Sequence, residues 1–211
     1  MIKGVIFDFG GTLAYKDKGM DVLKTCELLR KHGYDVYHQE WEAAYKYVFF
    51  IEFPKGKLNS YEDFVKRTIE LLGFKPKEVA VKEITSYWKS HDDFEFFPDV
   101  KHIQHLNMRK AILTTIPYFR ISRLDLTGFD PVMTGIEIGH AKPHPEGFLK
   151  ILRRWKLKPE EVLMVGNDME IDINPAKRLG LKTAFIDREG NARAKADYII
   201  HSMKDLATIL K

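Results

Sequence analysis

The chain has 211 residues, 45% hydrophobic and 30% charged, which excludes a disordered or fibrous protein and describes a soluble globular one, either one large domain or a core plus an insert. Its net charge is +4 and its pI about 8.9. The charges are interspersed without a basic tail or block, which argues against a nucleic-acid partner and suits a small anionic substrate. The single cysteine, Cys26, excludes an internal disulfide, agrees with a reducing cytoplasm and reads as a core thiol. No apolar run approaches the roughly 20 residues of a membrane helix, and Met1-Ile-Lys leads into a strand rather than a signal peptide.

Ile2 to Phe9 is short, apolar and β-branched, and it runs into Gly10-Gly11. That pattern predicts a buried central strand entering a tight turn. Asp8 falls at the strand's carboxyl end, the edge of an open α/β sheet where ligands bind. A buried carboxylate there needs a partner, since an unpaired buried charge is very costly. A bound cation, or a role as nucleophile, supplies a reason for it.

Leu13 to Gly19 reads as a charged loop. Four helices follow with no strand between them: Met20 to Lys31, Gln39 to Phe53, a third capped by Ser60 and ended by Gly73, and Pro76 to Ser90. From Pro98 strands and helices alternate. Asp99 to Asn107, Tyr118 to Asp125, Pro145 to Trp155, Pro175 to Leu179 and Lys204 to Leu210 read as helices. Lys110 to Thr114, Pro131 to Thr134, Val162 to Val165, Lys182 to Ile186 and Tyr198 to Ile200 read as strands. The alternation predicts an α/β core with a Rossmann-like parallel sheet. The helical segment, residues 17–95, is then an inserted domain interrupting a core of residues 1–16 and 96–211.

Four short motifs stand at predicted strand tips, in order. Asp8-Phe-Gly-Gly-Thr12 resembles the first motif of the haloacid dehalogenase superfamily. Lys110-Ala-Ile-Leu-Thr-Thr115 resembles the second, Lys142-Pro-His-Pro145 the third, and Val165-Gly-Asn-Asp-Met-Glu-Ile-Asp172 the fourth. The inserted helices sit where that family places its helical cap. The resemblance covers the whole core and thins in the insert, where only helical character matches.

The resemblance implies a hydrolase, most simply a phosphatase of a small phosphorylated metabolite. Asp8 would be the nucleophile, forming an aspartyl-phosphate, and Thr114, Thr115 and Lys142 would hold the phosphoryl group. Mg²⁺ would be bound by Asp8, the Gly10 carbonyl and Asn167 or Asp168, with Asp172 in the same acidic group, supporting it from behind. The implied protein is cytoplasmic, a monomer or homodimer, with neither a nucleic-acid nor a membrane partner.

Two departures from the family pattern matter. Gly10 stands where family phosphatases usually carry an aspartate that moves a proton, and Asn167 fills the first acidic position of the fourth motif. Gly10 keeps open a metal-independent 2-haloacid dehalogenase with an ester intermediate on Asp8. Against that stand the acid-rich fourth motif and Phe148, where dehalogenases tend to have tyrosine. A third reading is a binding or regulatory protein with little turnover.

Other features carry less. His102 and His105 have helical spacing but no third ligand, and read as a surface face. His140 and His144 flank Lys142 within reach of a substrate. The aromatics from Trp41 to Phe50 read as the insert's own core.

Overall fold

The structure is a computed structural model describing residues 1–16, 20–55, 58–190 and 194–210, with the side chains of 136 and 137 also outside the described set. Residues 17–19, the end of the expected Leu13–Gly19 loop and the start of the expected insert, lie outside the described residues. The chain divides into two compact units, Met1–Tyr15 with Glu95–Lys211 and Lys16–Phe94.

The first unit opens with β1, Gly4–Phe7, all four residues buried. β2, Ala14–Tyr15, follows the glycine turn.

The second unit is helical. Its helices are α1 Val22–Lys31, α2 His38–Tyr47, α3 Tyr61–Leu71 and α4 Glu78–Ser90. Asp21 caps α1, accepting from the amides of Leu23 and Lys24, and Ser60 caps α3 through the Asp63 amide. Trp41 of α2 and Trp88 of α4 meet edge to face at 6.1 Å between centroids. The indole Nε1 of Trp88 donates to Thr25 Oγ1 of α1 at 3.0 Å. Cys26 is buried beside them in the sequence of α1.

The helix predicted over Gln39–Phe53 stays α-helical only to Tyr47, then widens over Val48–Glu52, with the Phe53 amide reaching the Val48 carbonyl. Residues five apart diverge around an α-helix but converge on one face of a widened turn. Here Val48 and Phe53 are both buried.

The first unit resumes with β3, Glu95–Phe96, antiparallel to β2. Then come α5 Lys101–Gln104, β4 Arg109–Leu113, α6 Tyr118–Ile121, β5 Val132–Met133, α7 Gly135–Ile138, α8 Glu146–Trp155, β6 Val162–Gly166, α9 Asn174–Arg178, β7 Lys182–Ile186, β8 Tyr198–Ile200 and α10 Leu206–Ile209. Six strands form one sheet in the order β5-β4-β1-β6-β7-β8, every pair parallel. β1 is central, flanked by β4 and β6, so the strand order reverses at β1. That reversal opens a crevice at the strands' carboxyl ends. α8 lays Phe148, Ile151, Leu152 and Trp155 against Ile6, Ala111, Leu113 and Met164 of the sheet.

Other local features also depart from the pattern read in the sequence. β2 and β3 were not predicted, since two-residue strands eighty residues apart leave no local periodicity. α6 is only four residues long. It presents one buried residue, Ile121, and Asp125 turns its carboxylate onto the Thr127 amide, a local bond that competes with helix continuation. His102 is half-buried rather than on an open face, and its Nε2 is buried without a partner among the described residues.

Candidate active site

Asp8, Thr114 and Asn167 each follow the last residues of β1, β4 and β6. Because Phe7 pairs with both Ile112 and Val165, the parallel register sets the three side by side at one sheet edge. Each is legible in the sequence as a strand-tip residue, and the topology makes the three strands neighbours.

Lys142, in the loop before α8, is the cation of this edge. Its Nζ donates to Asp8 Oδ1 and to Asp172 Oδ1, both at 2.5 Å, and its side chain is 1% exposed. Burial by itself would lower the ammonium's pKa, but the carboxylates of Asp172 and Asp8 outweigh it and push it up to about 12. Lys142 is therefore charged throughout the working pH range. Asp8 places Oδ1 on Lys142, and its Oδ2 accepts no hydrogen bond among the described residues.

Asp172 is fully buried. Burial drives its pKa up to about 7, with Lys142 opposing and the charge of Asp8 adding to the rise. Its Oδ2 accepts from the Asp168 amide at 3.2 Å. With one oxygen on Lys142 and the other on the backbone, Asp172 orients the lysine from behind. The turn carrying it, Met169–Ile173, is widened, with the Asn174 amide reaching the Met169 carbonyl. Asp168 caps that turn, its Oδ1 accepting from the Glu170 and Ile171 amides at 2.7 and 3.0 Å.

Two glycines are dictated by these contacts. Gly11 has φ +79°, and a Cβ there would lie 2.5 Å from Asn167 Nδ2. At Gly166 a Cβ would lie 2.5 Å from the Asp172 side chain. The motif turn and the β6 turn thus approach closer than any other residue allows.

Thr114 is buried, and its Oγ1 accepts from the Ile116 amide at 3.1 Å. The hydroxyl keeps its own proton to donate. Thr115 is half-buried beside it. His140 and His144 are exposed and stack on each other at 3.8 Å between ring centroids.

The oxygen donors fit a hard cation. Asp8 offers a carboxylate with one oxygen accepting no hydrogen bond among the described residues, and none of the turn's backbone bonds ends on the Gly10 carbonyl. Asn167 Oδ1 accepts one bond, from Thr12 Oγ1 at 3.0 Å. Among the described residues no three Asp, Glu, His or Cys side chains gather as a metal group. A cation here would therefore rest on a mixed set of carboxylate, backbone carbonyl and amide oxygens, all of the type Mg²⁺ takes.

The sequence reading passed over two contributors. The Thr12 hydroxyl orients Asn167. Arg188, just past β7, donates from Nη2 to the Thr12 carbonyl at 2.7 Å. The rule that flagged Asp8, a polar residue beyond a strand tip, would also have found Arg188.

A parallel sheet with a buried carboxylate–lysine pair at its switch point places the chain among α/β proteins whose polar site lies at the strands' carboxyl ends. The chain belongs to the haloacid dehalogenase-like hydrolase family, whose model matches residues 2–180. It is 27% identical over 228 aligned positions to glyceraldehyde 3-phosphate phosphatase of Pyrococcus furiosus, covering all of this chain and 93% of that one. It is 30% identical to ribulose-1,5-bisphosphate 5-phosphatase of Halopiger xanaduensis, covering 93% of this chain and 90% of the relative. Among solved structures, 2-haloacid dehalogenase from Pseudomonas syringae pv. Tomato DC3000 superposes with a TM-score of 0.73 at 21% identity, covering 100% of this chain and 98% of that one. This likeness reports the shared fold.

Proposed function

We propose that this hydrolase is a phosphatase of small phosphorylated metabolites that works through an aspartyl-phosphate on Asp8. The observation that carries the reading is the Asp8–Lys142–Asp172 constellation at the sheet's switch point, with one Asp8 oxygen left unbonded among the described residues. The names of the relatives, phosphatases of sugar phosphates, support the substrate class.

In the first step the Asp8 carboxylate attacks phosphorus in line. The P–O bond to the leaving group breaks and its electron pair leaves with that oxygen. Lys142 offsets the negative charge of Asp8 and the incoming phosphoryl group, and Thr114 and Thr115 donate hydroxyl hydrogen bonds to its oxygens. Water then adds to the acyl-phosphate, releasing inorganic phosphate and restoring the carboxylate. Mg²⁺, when bound by Asp8, the Gly10 carbonyl and Asn167 or Asp168, supplies neutralisation of the phosphoryl charge. The helical insert, residues 17–95, corresponds in this reading to the family's cap, the part assigned to selecting the leaving group. The working protein is cytoplasmic, a monomer or homodimer. No helix among the described residues is long and apolar enough to cross a membrane.

A panel of phosphate esters with and without Mg²⁺ tests this. Turnover that needs Mg²⁺ is expected, and Asp8→Asn should remove it while leaving the circular dichroism spectrum near wild type. A variant keeping more than a small residual rate would rule out the covalent route. Gly10 favours a second reading, dehalogenation without a metal. Chloride release from 2-chloropropionate in EDTA, with no ester hydrolysis, would select it.

A further inference from the structure

Arg188 lies outside the motifs, yet its guanidinium is tied down on three sides within the first unit. Nη1 and Nη2 bond the two oxygens of Asp99 at 3.0 and 3.2 Å. The guanidinium lies 3.6 Å from the centre of the Phe97 ring. Asp99 is itself fixed by Ser202 Oγ at 3.0 Å and the Met203 amide at 2.9 Å. A planar fork held by two carboxylate bonds and an aromatic face keeps little rotational freedom.

Its remaining bond goes to the Thr12 carbonyl at 2.7 Å. Thr12 is fully buried, and its hydroxyl donates to Asn167 Oδ1 at 3.0 Å. A continuous line of hydrogen bonds therefore runs from Ser202 and Met203 through Asp99, Arg188 and Thr12 to Asn167. Arg188, Asn167 and Gly11 also line one cavity of about 500 Å³, so the line ends at an accessible surface. A bond that only anchored the chain's last segment would end at Asp99. This one continues to the backbone of the nucleophile's own turn.

We propose that Arg188 is a positioning residue: by anchoring the Thr12 carbonyl it holds the Thr12 hydroxyl on Asn167 and fixes that amide oxygen toward the candidate cation site. This rests on the phosphatase reading for its consequence in turnover, but the orientation of Asn167 can be measured without it. Lysine at 188 keeps the charge and loses the fork. Valine at 12 keeps the shape and loses the hydroxyl.

The test compares Arg188→Lys, Thr12→Val, the double variant and Ser202→Ala in the full chain. The first readout is the Asn167 side-chain amide resonance in ¹⁵N-labelled protein without metal, assigned by its loss in Asn167→Asp. It should shift or broaden in both single variants and move less in Ser202→Ala, because the Met203 amide still holds Asp99. The second is Mg²⁺ binding by calorimetry. Outer partners of metal ligands typically contribute 10–100-fold in affinity, so each single variant should weaken Mg²⁺ about tenfold, with the double no worse than the weaker single. An unmoved Asn167 signal, or losses that simply multiply in the double variant, overturns the proposal. Should Arg188→Lys fail to fold, Asp99→Asn, which loosens the same fork, gives the same readouts. A wild type that binds no Mg²⁺ and hydrolyses no ester overturns the phosphatase reading, while the amide signal still decides the role of Arg188.

Discussion

Gly10 carries a prediction about substrate choice. A carboxylate two residues past the nucleophile could protonate a departing alkoxide, and glycine cannot. General acid–base help is typically worth about 10²–10⁴ in rate, so the wild type should be fast on aryl and acyl phosphates and slow on alkyl phosphates. The structure leaves room for the missing group. Gly10 is not in the left-handed region, and a Cβ there meets only the tip of Ile116, at 3.2 Å. Gly10→Asp should therefore fold, and should gain more on alkyl than on aryl esters. Equal gains on both would mean that another residue already moves the proton.

Asp99 gives a second residue-scale expectation. Burial would raise its pKa, but Arg188, the Met203 amide and Ser202 together hold it below the ordinary 3.8. A carboxyl with a depressed folded pKa contributes stability above its unfolded value, and that contribution is lost as pH falls through the folded pKa. Melting curves below about pH 4 should fall more steeply for wild type than for Asp99→Asn. Parallel acid limbs would mean that the ion pair contributes nothing to stability.

At the scale of elements, two glycines separate packing from chemistry. In α8 a Cβ on Gly147 would stand 2.6 Å from Leu113 and 3.0 Å from Ile138. Overpacking of that kind typically costs about 1–3 kcal/mol. Gly147→Ala should lower the melting temperature while each folded molecule keeps its activity. Gly166, at the end of β6, has the side chain of Asp172 against it. Gly166→Ala must displace the carboxylate that orients Lys142, so activity should fall much further than stability. A Gly166→Ala enzyme with wild-type kcat would show that Asp172 need not sit where it does.

At the scale of the molecule, the first unit has an apolar cluster built on Phe148 and the sheet, and the second has buried Trp41, Trp88 and Phe64. If each unit melts as its own cooperative block, calorimetry should show two transitions. Emptying a buried large aromatic costs about 3–5 kcal/mol. In calorimetry Trp41→Ala should shift one transition and Phe148→Ala the other. A single transition moved equally by both would mean one cooperative core.

Much of this was legible in the chain itself. The apolar, β-branched run before Asp8, the alternation after Pro98 and the capped helices of the insert are local signals, because periodicity and capping act over a few residues. They determined the α/β class, the helical insert and the polar residues at strand tips. Only the tertiary structure decided what joins residues distant in sequence. The β2–β3 pair spans the whole insert. Asp172 turned from a member of an acidic cluster into the partner of Lys142, because a widened turn swings it behind β6. Arg188 reached the Thr12 carbonyl across the end of the sheet. No local propensity encodes such contacts, since the strand order and the packing that bring them together are properties of the assembled sheet.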